Sequence, residues 1–174
     1  MVTALVSRAL LKKHRGETVL YNLICSRAVP ELITKMGGTP IRTRVGHAII
    51  KPLMKKHNAI FGGEHSGHFY FRDNWFADNG MIPALLMLER IGLERRSLSQ
   101  ILAPLRARYH ISGEINSRVG DVAAAIARLE SRYADARIER LDGISVDYDD
   151  WHFNVRPSNT EPLLRLNLEA YTRQ

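Results

Sequence analysis

The sequence predicts two modules in series, both of the α/β class. A mixed, mostly parallel α/β/α domain is expected over residues 1–100. A small α+β domain, one or two helices on an antiparallel sheet, is expected over residues 101–174. Three observations carry this reading. Short apolar runs of strand length alternate with helical periodicity through the first half, the pattern of βαβ units. In the second half the pattern changes to turn-linked strands around one Ala-rich helix. The length, 174 residues, allows one domain or two small ones with cores that need no disulfide staples.

Taken in order, residues 2–13 place Val2, Leu5, Val6, Ala9 and Leu10 on one helical face. Residues 18–25 are apolar on both faces, as in a buried parallel strand. Pro30 to Met36 reads as a short helix stopped by Gly37 and Gly38. Residues 39–45 read as a second strand. A helix from about His47 to Asn58 follows, with Pro52 expected to bend it or delay its start. Residues 59–71 hold two short apolar pieces around a Gly-rich polar turn, and a helix runs from about Asp78 to Ile91. The connector from Gly92 to Arg108 contains a helix, because Ser97 and Gln100 have capping-box spacing before Ile101. The domain boundary is expected between residues 95 and 107. Beyond it, residues 109–119 alternate like a strand and Asp121 caps a helix over 122–133. Strands are expected at 137–141, 144–148 and 162–170, with Asp142-Gly143 as the hairpin turn joining the first two. Trp151 and the segment from Arg156 to Pro162 read as turns.

Composition excludes several classes. Apolar residues make up 45% and charged residues 25%, ordinary for a globular chain. No apolar run approaches the roughly 18 residues of a membrane-spanning helix, so no membrane partner is expected. The first thirteen residues lack the charge order and cleavage site of a signal peptide. The single Cys25 cannot form an internal disulfide, which fits a reducing cytoplasm. The net charge of +7 invites a polyanion. The basic residues are scattered, however, and their densest groups fall at predicted helix ends, where cations favour the dipole. Trp75 and Trp151 have no basic-aromatic ladder beside them, so nucleic acid is not expected.

Three constellations carry chemistry. The first is Gly62-Gly63-Glu64-His65-Ser66-Gly67-His68. Glu64 can accept hydrogen bonds from adjacent hydroxyls, Ser66 can donate or accept, and His68 can carry a charge or move a proton near neutral pH. The alternative is a tight hairpin with polar surface residues. Glu64, His65 and His68 are a weak zinc set, since three-residue spacing suits a helix rather than a turn. The second is Arg156-Pro157-Ser158-Asn159-Thr160-Glu161-Pro162, with Arg165 beyond it. Its planar guanidinium, short polar side chains and backbone N–H groups suit a phosphate, or equally a structural turn. The third is Arg42-Thr43-Arg44-Val45-Gly46-His47, an anion site before a helix or a basic strand edge. Asp147, Asp149 and Asp150 form a weak acidic metal cluster.

These segments resemble a known family. FGGEHSGHFYFRDNWFADNGMIPALLMLE is similar to the sugar-recognition segment of the α-D-phosphohexomutases, and RPSNTEPLLRLNLEA to the phosphate-binding loop of their last domain. CSRAVPELI and RTRVGHAIIK match the third domain in order and spacing. His65 resembles the phosphomannomutase/phosphoglucomutase branch, since phosphoglucosamine mutases usually carry Gln there. The resemblance covers nearly the whole chain.

It implies a four-domain enzyme that interconverts hexose 6-phosphate and hexose 1-phosphate. A phosphoserine in the first domain, beside Mg²⁺ held by a DxDxD loop in the second, exchanges its phosphoryl group with the sugar. Residues matching Glu64 and Ser66 hold sugar hydroxyls, and those matching His68 and Arg44 lie near the phosphate or ring. Those matching Arg156, Ser158, Asn159 and Thr160, with Arg165 nearby, bind the phosphate that is not reacting. Such clamping supplies positioning. None of the ten serines sits in a Thr-x-Ser-His-Asn-like loop, and no DxDxD run exists. The chain begins where the third domain should begin and ends before the fourth domain's closing helix would be complete. The expectation is therefore a substrate-recognition half with no nucleophile, no bound metal and no turnover alone. The alternative is a non-catalytic phosphosugar-binding module. Expected partners are mannose or glucose 1- and 6-phosphates, the enzyme's N-terminal domains, and a second copy through an exposed interdomain face.

Overall fold

The apolar run after Glu17 becomes a strand because it is covered on both faces. The computed structural model describes residues 1–158 and 161–173. The chain divides into two units, Met1–Ala107 and Arg108–Gln174.

The first unit opens with α1 (Val2–Lys13) and β1 (Thr18–Asn22). β1 is shorter than its apolar run because the chain turns at Asn22, whose carbonyl accepts the Cys25 N–H. α2 (Ala28–Lys35) starts ahead of Pro30, with the Ser26 hydroxyl accepting the Ala28 N–H at 3.1 Å. Proline is tolerated there because first-turn N–H groups have no helical acceptor. β2 (Thr39–Thr43), α3 (His47–Lys56) and β3 (Phe61–Gly63) follow. α3 starts at His47 without delay and runs through Pro52. β4 (Phe69–Phe71) and β5 (Ala77–Asp78) complete a sheet of order β2-β1-β3-β4-β5. β1 pairs in parallel with β2 and β3. The β3–β4 and β4–β5 pairs are antiparallel, since their short links leave no room for a crossover. α4 (Met81–Glu94) begins later than Asp78, which belongs to β5, and the Asn79 side chain accepts the Ile82 N–H at 2.9 Å. In α5 (Leu98–Arg108) the expected capping box forms. Ser97 N–H donates to Gln100 Oε1 at 2.9 Å and Gln100 N–H to Ser97 Oγ at 3.3 Å.

Period-2 alternation sorts the strands between two cores. Val19, Phe61, Phe69 and Phe71 pack with Leu5, Leu11, Val29, Ile33, Met87 and Ile101. Leu20 and Tyr70 pack on the opposite face with Ile50 and Met54 of α3. The two parallel crossovers thus place α2 and α3 on opposite faces. Their chain paths diverge at the carboxyl ends of β1 and β3, a topological switch point where α/β sheets hold ligands. β3 is squeezed between helices. A side chain at Gly62 would meet the Met54 sulfur, and one at Gly63 the Thr3 methyl. On α4, Met81, Leu85 and Leu88 are exposed and lie on one helical stripe, and Trp75 is 86% exposed.

The second unit is an all-antiparallel sheet with one helix. β6 (His110–Arg118), α6 (Val122–Arg132), β7 (Arg137–Glu139), β8 (Ile144–Asp147), β9 (Trp151–Pro157) and β10 (Leu163–Ala170) give the order β6-β10-β9-β8-β7. Asp121 caps α6, its Oδ1 accepting the Ala124 N–H at 2.9 Å. Ala125 and Leu129 of α6 pack on Ile144, Val146, Phe153, Val155 and Leu164. The segment from Trp151 to Pro157 corrects the sequence reading. It is not a turn but an interior strand, paired on both sides. Among the described residues, no helix is long and apolar enough to cross a membrane.

Candidate functional site

The switch point of the first unit carries a buried polar network. Alternation along β1 and β4 puts Asn22 and Tyr70 on the α3 side, and Glu64, just past β3, meets them there. The Glu64 carboxylate is buried at 3% exposure. Its Oε2 accepts from the Asn22 amide at 3.2 Å and from the Gly46 N–H at 3.0 Å. Its Oε1 accepts the Tyr70 hydroxyl at 2.7 Å. Asn22 Oδ1 in turn accepts the His65 N–H at 3.2 Å and the Cys25 thiol at 3.1 Å. One carboxylate, just past β3, thus ties together the end of β1, the segment following β2, and β4. A carboxylate offers about four acceptor positions, so three donors leave little capacity for others. Burial, then the Glu64 hydrogen bond, raises the Tyr70 phenol far above its ordinary range. Burial pushes the Cys25 thiol up to about 12, leaving it protonated at neutral pH.

Beyond Glu64 the chain turns outward. The Glu64 N–H donates to the His68 carbonyl at 2.9 Å and the Gly67 N–H to the Glu64 carbonyl at 3.2 Å. Gly67 takes a φ of +91°, which a side chain disfavours. His65, Ser66, Gly67 and His68 are exposed, as is Arg44 at the end of β2. The predicted residues therefore separate into a rim of Arg44, Ser66 and His68 and a buried anchor, Glu64. His68 Nδ1 lies 2.6 Å from Asp78 Oδ2, and the Phe69 N–H donates to Asp78 Oδ1 at 2.9 Å. The Asp78 hydrogen bond raises the His68 pKa above its ordinary value, with burial opposing. Asn22, Tyr70 and Asp78 were missed in the sequence. Only the strand pairing, which brings Asn22 and Tyr70 beside Glu64 and Asp78 beside His68, marks them out.

The second candidate lies on the face of the second sheet opposite α6. Val155 and Leu164 point to α6, so their neighbours Arg156 and Arg165 point away. Arg156 and Arg165 face each other across β9 and β10. Glu114 of β6 lies 3.8 Å from Arg156 Nη2 and 3.4 Å from Arg165 Nη1. Arg165 Nη2 donates to the Ser158 hydroxyl at 3.2 Å. Opposed like charges destabilise a sheet, and one carboxylate offsets only one of them. The buried Nε atoms of both arginines have no hydrogen-bond partner among the described residues. The site therefore carries surplus positive charge, which favours an anion. Glu114 was missed in the sequence. Asn159 and Thr160 lie outside the described residues.

No three His, Cys, Asp or Glu side chains among the described residues converge where a metal could sit. Asp147 instead faces Arg137 at 3.9 Å.

Comparison with known proteins agrees with this layout. Residues 1–109 match the family profile described as phosphoglucomutase/phosphomannomutase, alpha/beta/alpha domain III. Residues 114–174 match the C-terminal domain of the same family. The chain belongs to the phosphoglucomutase/phosphomannomutase family and corresponds to the C-terminal domains of its members. Among its relatives, a phosphomannomutase of Salmonella typhimurium is 43% identical over 171 residues, which is 97% of this chain and 38% of that protein. A phosphomannomutase of Methanocaldococcus jannaschii is 42% identical over 98% of this chain and 38% of its own length. The chain thus spans well under half the length of these curated relatives. The solved structure of a phosphoglucomutase/phosphomannomutase family protein from Burkholderia thailandensis superposes with a TM-score of 0.81 at 25% identity, over 99% of this chain and 37% of that one.

Proposed function

We propose that this chain is the substrate-recognition portion of a phosphomannomutase/phosphoglucomutase, the enzyme that interconverts hexose 6-phosphate and hexose 1-phosphate. The observation that carries the reading is the rim of Arg44, Ser66 and His68 around the Glu64 anchor, at the sheet's switch point and inside the match to the family's third domain. In this reading Ser66, with Glu64, binds sugar hydroxyls, and Arg44 and His68 lie near the phosphate or ring. Arg156, Arg165, Ser158, Asn159 and Thr160 bind the phosphate that is not reacting. These groups hold a ligand in place rather than break bonds. The phosphoserine and the Mg²⁺ loop of the family mechanism belong to residues outside these 174. The compartment we assign is the cytoplasm, which keeps Cys25 reduced.

The test is calorimetric titration of the purified chain with mannose 1-phosphate and glucose 1-phosphate, repeated with Ser66→Ala and Arg156→Ala. These two variants leave the Glu64 network intact. Binding that each substitution weakens supports the reading. Binding that neither weakens, or no binding to the parent chain, overturns it for this polypeptide.

A further inference from the structure

Asp78 had no role in the sequence reading, yet the fold aims it at one residue of the candidate site. It sits in β5, where Tyr70 pairs with it across the sheet. Its carboxylate is divided between two donors. Oδ1 takes the Phe69 N–H at 2.9 Å, which fixes the carboxylate plane against the start of β4. Oδ2 is left to meet His68 Nδ1 at 2.6 Å, a short contact typical of a charge-assisted hydrogen bond. An imidazole held through Nδ1–H by a carboxylate presents its other nitrogen away from that partner. The His68 side chain is 56% exposed, so that nitrogen is within reach of solvent and ligand.

We propose that Asp78 is a positioning residue for His68: it fixes the ring through Nδ1 and favours the protonated form, whose Nε2–H is a donor for an anionic group. This rests on the reading of the His65–His68 loop as a phosphosugar site. A phosphate monoester is the ligand class it fits, because a singly directed cationic N–H complements a phosphate oxygen. The surrounding charges act in one direction. Glu64 adds a longer-range attraction that favours protonated His68. Lys51 of α3 acts on Asp78, favouring its ionised form. Both effects favour the imidazolium–carboxylate form of the pair. In that form the pair is neutral in sum, with its positive member toward the loop.

The test reads His68 directly. Histidine ring resonances of the full 174-residue chain are followed by NMR against pH, with His68→Gln to assign the signal. The same titration is run on Asp78→Asn, which keeps the size and an acceptor but loses the charge. The expected result is a His68 midpoint above that of an ordinary histidine in the parent chain, falling toward the ordinary value in Asp78→Asn. An ordinary midpoint in the parent, or one that Asp78→Asn leaves in place, overturns the proposal. A fold check by amide spectra separates this from unfolding. If Asp78→Asn does not fold, Asp78→Glu replaces it, and a midpoint unchanged from the parent despite the displaced carboxylate overturns the proposal. Calorimetry with mannose 1-phosphate at pH 7 then separates the two readings. A raised midpoint with roughly threefold to tenfold weaker binding in Asp78→Asn supports both. A raised midpoint in a chain that binds no phosphosugar leaves the His68–Asp78 pair standing and removes the assigned ligand.

Discussion

Glu64 shows how a residue read for one task is held by another. Its carboxylate takes three protein donors in a buried site, so its first effect is on the fold. Tyr70→Phe removes one donor without changing the packing volume, and urea unfolding is expected to show a loss of about 1–2 kcal/mol. Glu64→Ala strands the Tyr70 hydroxyl, the Asn22 amide and the Gly46 N–H together, with an expected loss of about 3 kcal/mol or more. Equal losses for the two variants would contradict the three-donor geometry. His68 and Asp78 make a second prediction at this scale. The His68 pKa is raised, so its contribution is complete below the ordinary value of 6.5 and lost as pH rises through the raised one. Burial acts to raise the Asp78 pKa, but the hydrogen bonds from His68 and the Phe69 N–H outweigh it and lower it. That contribution is complete above the ordinary value of 3.8 and lost as pH falls through the lowered one. The melting temperature of the parent chain should therefore exceed that of Asp78→Asn most between these two pH values. A difference independent of pH would refute the ionic pairing. Both groups are exposed by more than a third, so the difference is expected to be small.

At the scale of elements, β9 is the instructive error. Its alternation of Trp151, Phe153 and Val155 with His152, Asn154 and Arg156 is a strand pattern in plain view. Asp149 and Asp150 before it and Pro157 at its end read as turn residues and obscured it. The polar residues that discouraged a strand lie on the face opposite α6, where Arg156 helps form the second candidate site. Two glycines give contrasting predictions. Gly143 takes a φ of +62°, and a Cβ there would run into the Val155 carbonyl and lie 2.6 Å from the Arg156 Cα. Gly143→Ala must displace the backbone of β9 and is expected to cost about 3 kcal/mol or more. Gly67 takes a φ of +91° with nothing within 4 Å of an added Cβ. Gly67→Ala meets only backbone strain, about 1–2 kcal/mol. Thermal unfolding followed by circular dichroism checks the order, and a larger loss at Gly67 would overturn it.

For the molecule as a whole, the proposed division of labour predicts recognition without turnover. Incubated with mannose 1-phosphate and Mg²⁺, the 174-residue chain is expected to form mannose 6-phosphate no faster than a blank. Conversion above the blank would place a nucleophile among its own residues and overturn the reading. The exposed stripe of Met81, Leu85 and Leu88 on α4 is expected to promote self-association. Sedimentation should show association that Leu85→Glu reduces, and a concentrated parent chain that stays monomeric would count against it.

The sequence alone determined the class of each unit, the caps at Asp121 and Ser97 and the motifs that led to the family. These are local properties, set by hydrophobic period, side-chain reach over three residues, and backbone freedom. Tertiary structure decided what those motifs touch. Strand order brought Asn22, Gly46 and Tyr70 onto Glu64, so that the expected sugar ligand is also held by donors from three other segments. Strand register set Arg156 against Arg165, with the Glu114 carboxylate of β6 near both. The link from β4 to β5 delivered Asp78 to His68. Each of these pairings joins residues on different elements. Hydrogen bonds act within about 3.5 Å, and only the pairing of strands brings such residues that close.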